Sequence, residues 1–353
     1  MAKVLMKGNE AIGAAAIKAG CKYFFGYPIT PQSELPEYMS RELPKIGGCF
    51  LQAESEIAAI NMVYGAAGSG VRVMTSSSSP GISLKQEGIS YIAGAELPCV
   101  IVNIMRGGPG LGSIQPSQTD YFQATRGGGN GDYKLVVLAP ANLQELVDLI
   151  IEGFDIADQY RNPVMILGDG MIGQMMEPIE FKEPKKRNLP EKDWATTGTK
   201  GKRKPNIINS LYLAAEELEE HNIRLQAKYK EITENEVKVE SYNIEDADVV
   251  IAAYGTTSRI AKTAIAELES EGYKVGLIRP ITLWPYPYDE FKKISDKCKG
   301  ILTVEMNTGQ MVDDVKIAVN GRFPVHFFGR TGGMIPTPNQ MIKMVKEIYG
   351  GER

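Results

Sequence analysis

The sequence has few of the residues that build metal centres. Its four cysteines stand at positions 21, 49, 99 and 298, so it contains no Cys-x-x-Cys pair. Iron–sulfur clusters and structural zinc sites are usually built from such pairs, and we therefore predict no metal ligands in this chain. The cysteines are expected to be reduced and mostly buried, as in a cytoplasmic protein. The chain has only two histidines, His221 and His326, and so offers few residues for a mechanism centred on histidine.

The chain also lacks a long apolar run and a large net charge. No segment approaches the roughly 18 apolar residues of a membrane span, and residues 1–8 are too short in apolar length for a signal peptide. The formal net charge is −4, which argues against a partner bound mainly through nucleic-acid phosphates. We expect a cytoplasmic protein that binds neither a membrane nor nucleic acid.

Length and apolar content indicate two α/β domains. The chain has 353 residues, of which 43% are hydrophobic, and domains average roughly 150 residues. Residues 1–180 alternate helix-like segments with short, continuously apolar strands, the pattern of a parallel sheet covered on both faces. The predicted strands are 22–26, 71–75, 99–105, 136–138 and 164–167, and the predicted helices are 9–19, 55–67, 81–95 and 142–159.

The composition changes after residue 180. Residues 181–243 combine a charged, proline-bearing segment, including the run at 182–187, with a long amphipathic helix predicted over 207–234. A second α/β unit, with a helix predicted at 289–295, occupies 244–353. We therefore predict two three-layer α/β/α domains with mainly parallel sheets, joined by a charged linker. His326, in an apolar strand of the second unit, is predicted to be a core residue.

A stiff loop follows the first predicted strand. Residues 27–31 read Tyr-Pro-Ile-Thr-Pro, and proline both fixes its own φ and restricts the residue before it. Thr30 is therefore held at the carboxyl end of a strand, where open α/β sheets bind their ligands. The alternative is a rigid turn without chemistry.

Charged side chains stand at the ends of two other predicted elements. Glu54 and Glu56 open an alanine-rich helix, where an acid either stabilises the helix dipole or faces a ligand. Arg106 ends an apolar strand and begins a glycine-rich loop. An arginine in that position either binds a carboxylate or phosphate group or pairs with an acid at the surface.

Several of these segments, taken together and in order, resemble one family. They are residues 27–31, 54–59, 78–83 and 105–109, and the later segments 279–285 and 304–310 fit the same family. Over nearly its whole length the chain resembles the alpha subunit of the thiamine diphosphate-dependent 2-oxoacid:ferredoxin oxidoreductases. It most resembles the 2-oxoisovalerate (3-methyl-2-oxobutanoate) type, with the 2-oxoglutarate type as the alternative.

The resemblance implies a first domain of the pyrimidine-binding type and a second domain like the C-terminal domain of transketolase. Glu56 would hydrogen-bond the pyrimidine ring nitrogen of thiamine diphosphate, with Glu54 the weaker match. Thr30 and Arg106 would bind the oxo and carboxylate oxygens of the substrate and take part in catalysis with Glu56. Further cofactor contacts are implied for Pro28, Ile29, Ser79 and Pro80.

The resemblance also implies that the cofactor is shared between subunits. Residues 168–170, Gly-Asp-Gly, resemble the start of a diphosphate and magnesium motif but lack the paired asparagines that should follow. Asp169 is therefore predicted to be structural. A beta subunit would hold the diphosphate and Mg²⁺, and gamma and ferredoxin-like delta subunits would carry most of the iron–sulfur clusters and the coenzyme A site.

The implied activity is the oxidative decarboxylation of a branched-chain 2-oxoacid to an acyl-CoA, with reduction of ferredoxin. A dicarboxylate such as 2-oxoglutarate would need a second cation near Arg106, for which Arg126 is the candidate. Two other classes stay open, a non-catalytic scaffold subunit and a nucleotide-binding enzyme that acts alone. The second is poorly supported, since no Gly-x-Gly-x-x-Gly loop follows a strand.

Overall fold

The computed structural model describes residues 3–182 and 187–351 of the chain. Residues 183–186, which belong to the charged run of the predicted linker, lie outside the described residues. Within the described ranges, no helix has the length and apolar character needed to cross a bilayer.

The first half of the chain alternates strands with helices. Its strands are β1 (Val4–Lys7), β2 (Tyr23–Gly26), β3 (Cys49–Gln52), β4 (Val73–Ser77), β5 (Cys99–Met105), β6 (Val136–Leu138), β7 (Pro163–Asp169) and β8 (Met176–Ile179). Its helices are α1 (Gly8–Lys18), α2 (Glu34–Glu42), α3 (Glu56–Gly68), α4 (Ser79–Gly94), α5 (Tyr121–Arg126), α6 (Leu143–Tyr160) and α7 (Gly170–Gln174), with a 3₁₀ turn at Pro44–Ile46.

The second half opens with a long helix and continues as a second α/β unit. Its helices are α8 (Ala215–Asn235), α9 (Gly255–Ser270), α10 (Met311–Val319) and α11 (Pro338–Gly350), with a 3₁₀ helix at Tyr288–Lys293. Its strands are β9 (Val239–Tyr242), β10 (Val249–Ala252), β11 (Val275–Pro280), β12 (Thr282–Trp284), β13 (Gly300–Glu305) and β14 (Val325–Gly329).

A seven-stranded sheet in the order β12-β6-β7-β5-β4-β2-β3 forms the centre of the first half. Its pairings are parallel except that of β12 with β6. Every residue of β4, β5 and β7 is buried, because α3 and α4 pack on one face and α1 and α6 on the other. This layering explains why the strands are apolar throughout, and it confirms the predicted α/β class.

A five-stranded sheet in the order β14-β13-β10-β11-β9 organises the second half. Only its edge strand β9 runs antiparallel to its neighbour. Helices α9 and α11 cover one face of this sheet. His326 lies on the other edge strand, β14, and is only half-buried, so the prediction of a core histidine is wrong because an edge strand is covered less than a central one.

Strand β12 joins the two halves. Thr282 and Trp284 pair with residues of β6, so a strand from the second half completes the first sheet. Strand β9 lies inside the predicted linker and yet pairs with β11. The division of the chain into residues 1–180, 181–243 and 244–353 accounts for neither strand, and its boundaries stay a prediction.

Two predicted helices differ from the observed ones. The long helix begins at Ala215 rather than 207, because the Asn209 side chain accepts a hydrogen bond from the Leu211 amide at 2.8 Å and so competes with helical bonding. The helix predicted over 289–295 is instead the 3₁₀ helix at Tyr288–Lys293, preceded by Pro287. A short 3₁₀ segment is the form expected where too few residues are available for a full α-helix.

Candidate active site

The first turn of α4 is the point around which the site is built. This helix begins at Ser79 directly after β4, with Ser78 as its N-cap and a proline in its first turn. The carboxyl ends of β2, β4 and β5 lie at the same edge of the sheet, since these strands are parallel. That edge is where open α/β sheets bind ligands.

Glu56 lies against this turn. It is the first residue of α3, whose N-cap Ser55 accepts a hydrogen bond from the Ala58 amide at 3.2 Å. Glu56 is only 6% exposed, whereas Glu54 is exposed. A Cβ placed on Gly81 would stand 2.6 Å from Oε1 of Glu56. The carboxylate therefore reaches the first turn of α4 only because residue 81 is glycine.

Lys85 lies one helical turn beyond Gly81 and has no exposed surface. Its Nζ donates to the Glu56 carbonyl oxygen at 3.4 Å and to Thr75 Oγ1 at 3.2 Å. Burial lowers the pKa of Lys85 to about 8, an effect that the charge of Glu56 partly opposes. Sequence reasoning missed this lysine, although its position four residues after Gly81, on the apolar side of the helix, was a readable signal.

Arg106 follows β5 and is 8% exposed. Its Nη1 donates to the Thr30 carbonyl oxygen at 2.9 Å and its Nη2 donates to the Leu111 carbonyl oxygen at 3.2 Å. Its Nε is buried and has no partner. Since the guanidinium binds main-chain oxygens and no carboxylate among the described residues, the alternative of a surface ion pair does not hold.

The loop that carries Thr30 is held by its main chain. The carbonyl oxygen of Pro31 accepts hydrogen bonds from Asn9 Nδ2 at 2.8 Å and from Gln174 Nε2 at 2.9 Å. Thr30 itself is exposed and lines a cavity of about 870 Å³. Pro28 is exposed and Ile29 is half-buried on the same loop. Thr30 thus borders a cavity, and its main-chain carbonyl oxygen accepts a hydrogen bond from Arg106.

The Ser79 hydroxyl supports Arg106. It donates to Asp120 Oδ2 at 2.6 Å and accepts from the Arg106 amide at 3.0 Å. Asn103 Nδ2 donates to the same carboxylate oxygen at 2.9 Å. Burial raises the pKa of Asp120, and these two hydrogen bonds oppose the rise. Sequence reasoning missed Asp120, which lies in an irregular segment without a periodic pattern.

A second cavity opens beside this network. It measures about 740 Å³ and is lined by Ser79 and Pro80, by the loop 107–110 and, from the second half, by Thr308 and Thr331. Pro80 is half-buried. The two predicted cofactor contacts on α4 therefore border open space, although the Ser79 hydroxyl is occupied by Asp120 and Arg106.

Arg126 is not brought to the site as a free cation. Its Nη2 donates to Asp314 Oδ2 at 2.8 Å, and Tyr121 and Tyr288 donate to the same buried carboxylate. Asp169 accepts from the Met171 and Ile172 amides at 2.8 and 3.2 Å. That cap of α7 confirms the structural role predicted for Asp169.

The residues around α4 suit a polar ligand. The hydroxyl oxygens of Ser77 and Ser78 are buried without a hydrogen-bond partner, as is Arg106 Nε. A buried polar group left unpaired costs about 1–3 kcal/mol, so a ligand that satisfies these atoms is favoured. Together with the buried carboxylate of Glu56, they supply the hydrogen-bonding groups that a polar heterocycle such as an aminopyrimidine would need. The described residues contain no group of three or more His, Cys, Asp or Glu side chains placed to hold a metal ion.

The two-sheet fold, with its polar site at the carboxyl ends of parallel strands, defines an α/β protein whose ligand site lies where open sheets commonly bind ligands. A split-gene transketolase shares the fold, with a TM-score of 0.62 over 99% of both chains at 14% identity. Residues 14–246 match the family "pyruvate flavodoxin/ferredoxin oxidoreductase, thiamine diP-binding", and residues 247–341 match core domain II of pyruvate:ferredoxin oxidoreductase. The chain belongs to this family of oxidoreductases, as its sequence motifs indicated.

Its relatives are subunits of 2-oxoacid oxidoreductases. The chain is 49% identical to the ketoisovalerate oxidoreductase subunit VorB of Methanothermobacter marburgensis, over 99% of both chains. It is 37% identical to the 2-oxoglutarate synthase subunit KorA of Archaeoglobus fulgidus, over 97% of this chain and 98% of the relative. The solved 2-oxoglutarate:ferredoxin oxidoreductase of Magnetococcus marinus matches 98% of this chain with a TM-score of 0.84 at 28% identity. This chain spans 65% of the length of that solved chain.

Proposed function

We propose that this chain is the pyrimidine-binding subunit of a 2-oxoisovalerate:ferredoxin oxidoreductase. The observation that carries the proposal is that Glu56 and Arg106 both contact the first turn of α4 and that Arg106 also binds the Thr30 carbonyl oxygen. The relatives named ketoisovalerate oxidoreductase subunits, at 49% identity over 99% of the chain, favour the branched-chain substrate.

Each of the three residues has a chemical task in this proposal. The buried carboxyl group of Glu56 exchanges a proton with the pyrimidine ring nitrogen of the cofactor. Arg106 binds the carboxylate of the 2-oxoacid through its unpartnered Nε and its fork of N–H groups. The Thr30 hydroxyl donates to the oxo oxygen. Thiamine diphosphate, when bound, supplies the electron sink that allows the bond between the carboxylate carbon and the oxo carbon to break.

The net reaction balances with partners outside this chain. The 2-oxoacid loses CO₂, its former oxo carbon becomes the acyl group of an acyl-CoA, and two electrons leave one at a time through iron–sulfur clusters to ferredoxin. The dispersed cysteines of this chain do not supply such clusters, and Asp169 is engaged in capping α7. We therefore assign the diphosphate and Mg²⁺ to a beta subunit, and most clusters and the coenzyme A site to gamma and delta subunits, in a cytoplasmic complex.

The charges around the site favour a monocarboxylate. Arg126, the predicted second cation, is paired with Asp314. The cavity at Thr30 is lined by Glu34 and Glu37 and by the apolar side chains of Ile114, Met171 and Ile335. Burial raises the pKa of Glu34, but hydrogen bonds from Lys7, Asn9 and Gln174 outweigh it and the pKa is lowered. Glu34 is paired with Lys7 at 2.6 Å, and no lysine or arginine lines this cavity, so the described residues offer no unpaired cation there to a second carboxylate such as that of 2-oxoglutarate.

Reconstitution of the complex tests the proposal. The chain is co-expressed with its partner subunits, and coenzyme A-dependent reduction of a viologen dye is measured with a panel of 2-oxoacids. We expect 2-oxoisovalerate to be preferred and the chain alone to be inactive. Glu56→Gln should abolish activity, whereas Glu54→Gln, at an exposed position two residues away, should retain it. Wild-type activity of Glu56→Gln would reject the assigned role and favour a scaffold subunit, and a preference for 2-oxoglutarate would reject the substrate.

A further inference from the structure

Lys85 is a fully buried lysine for which the proposed chemistry has no use. We propose that it is a positioning residue that holds the start of α3 in place and sets a positive charge beside the Glu56 side chain. This inference rests on the proposed function of Glu56, because it assigns a reason for a lysine to stand beside that carboxylate.

The geometry places Lys85 and Glu56 on facing surfaces of two helices. Gly81 and Lys85 are four residues apart in α4 and so share one side of the helix. Oε1 of Glu56 lies against Gly81, and Lys85 Nζ reaches the Glu56 carbonyl oxygen at 3.4 Å. The same Nζ donates to Thr75 Oγ1 of β4 at 3.2 Å. The ammonium group is therefore anchored by neutral oxygens beside the carboxylate rather than bound to it.

Glu56 is the charged group that affects the pKa of Lys85. Burial lowers the pKa of Lys85 to about 8, and the negative charge of Glu56 opposes the lowering. Strand β4 presents the neutral Thr75, and neighbouring β5 (Cys99–Met105) carries no ionisable side chain except Cys99, whose pKa is raised by burial. The other buried acid near α4, Asp120, is held by Ser79 and Asn103.

Two consequences follow for the chemistry of Glu56. At pH 7 Lys85 is mostly protonated, so a positive charge stands beside the Glu56 side chain where the proposed proton exchange takes place. Above about pH 8 Lys85 loses its proton, and the positive charge is lost with it. The positive charge beside Glu56 is therefore present only over a limited pH range.

The first test is the pH profile of kcat in the reconstituted complex with Lys85→Met. We expect about a tenfold loss of kcat at pH 7 and the disappearance of the wild-type alkaline limb near pH 8, because that limb reports the loss of the Lys85 proton. Lys228→Met is the matched control, because Lys228 is a half-buried lysine of α8 that is bound to Glu96 Oε1 and to the Arg161 carbonyl oxygen. It should leave the profile unmoved. An unmoved profile in Lys85→Met would overturn the proposal.

The second test does not depend on the cofactor. A double-mutant cycle of Lys85→Met and Glu56→Gln is measured by urea unfolding of the full chain without cofactor. If Lys85 acts on the charge of Glu56, the effect of Lys85→Met on the unfolding equilibrium differs at least threefold between the Glu56 and Gln backgrounds. Additive effects would overturn the Lys85 inference while leaving the role of Glu56 standing. A coupled cycle with a fully active Glu56→Gln complex would instead reject the proposed function.

A measurement on Glu56→Gln alone covers the case in which Lys85→Met does not fold. Without the carboxylate, Lys85 should lose its proton at a lower pH. The pH at which the stability of the full chain starts to rise should therefore move down by at least half a pH unit relative to wild type. An unchanged onset would show that the two groups do not interact and would overturn the inference.

Discussion

Arg106 and Thr30 are joined by a hydrogen bond of 2.9 Å from the guanidinium Nη1 to the carbonyl oxygen, across 76 residues of sequence. The bond orients the guanidinium and is reinforced by Leu111, while Nε stays without a partner. Since Thr30 also lines a cavity, one contact positions both residues assigned to the substrate.

Arg106→Lys tests whether this orientation matters more than charge. Lysine keeps the positive charge but cannot hold two carbonyl oxygens and a substrate carboxylate in one plane. We expect kcat/KM for 2-oxoisovalerate to fall about 100-fold, equivalent to roughly 3 kcal/mol of transition-state stabilisation. Arg41→Lys, at an exposed position on α2, is the control and should be silent. A loss of less than threefold in the Arg106 variant would show that charge alone suffices.

Gly81→Ala tests the close approach of α3 to α4. An added Cβ would overlap Ser77 Oγ and stand 2.6 Å from Glu56 Oε1. We expect a loss of about 1–3 kcal/mol in the free energy of unfolding and at least tenfold lower activity, because Glu56 must move. Gly65→Ala, on the exposed side of α3 with no neighbour within 4 Å, should be neutral or stabilising by up to about 1 kcal/mol. Urea unfolding and dye reduction measure both effects, and equal behaviour of the two variants would contradict the argument.

Lys85→Met should stabilise the chain at pH 7 while impairing the enzyme. A lysine pKa lowered from 10.5 to about 8 costs roughly 3 kcal/mol of stability when the group is protonated. Loss of two long hydrogen bonds offsets about 1 kcal/mol of the gain, so we expect a net increase of about 2 kcal/mol in the free energy of unfolding. Urea unfolding of the full chain at pH 7 measures it.

The same variant predicts a change in the pH dependence of stability. Below about pH 8 the folded and unfolded states both hold the proton of Lys85; between about 8 and 10.5 only the unfolded state does. The wild-type free energy of unfolding therefore gains a rising contribution over this range, which Lys85→Met removes. Lys230→Met, at an exposed position on α8, should leave the curve unchanged. A wild-type curve that falls over this range, with no difference from Lys85→Met, would contradict the prediction.

Glu37→Lys tests the electrostatic basis of substrate choice. Glu37 is exposed in the cavity that Thr30 lines, and a lysine there supplies the second cation that a dicarboxylate needs. We expect the ratio of kcat/KM for 2-oxoglutarate to that for 2-oxoisovalerate to rise about tenfold. Glu42→Lys, at the end of the same helix and outside the cavity, should leave the ratio unchanged. An equal ratio in both variants would place the substrate side chain elsewhere.

Much of the fold was readable because its elements carry strong periodic signals. The central strands β4, β5 and β7 are apolar throughout, and α3, α4 and α6 lie between them with clear starts. Helix α2 and edge strand β3 were not predicted. Strand β3 is only four residues long and mostly exposed, so it carries little apolar pattern. Strand β12 has three residues and pairs across the two halves of the chain, which no local pattern indicates.

The site could be predicted from the sequence where its residues stand at the ends of such elements. Thr30, Glu56 and Arg106 each follow or open a predicted strand or helix, and the structure brings all three to one edge of the sheet. Lys85 escaped notice because a lysine within a helix is usually exposed. The pairing of Arg126 with Asp314 joins residues 188 apart, so it has no local signature.

The sequence by itself determined the α/β class, the family and the identity of the residues at the strand ends, because these depend on local periodicity and on short motifs. The tertiary structure decided which of those residues meet. It also decided that Arg126 pairs with an acid while Arg106 does not, and that the charge of Lys85 is buried. Those outcomes depend on packing between distant segments, as in the contact of Glu56 with Gly81 and the burial of Lys85. A side chain's environment, and with it its pKa and its hydrogen-bond partners, exists only once the helices have packed against the sheet.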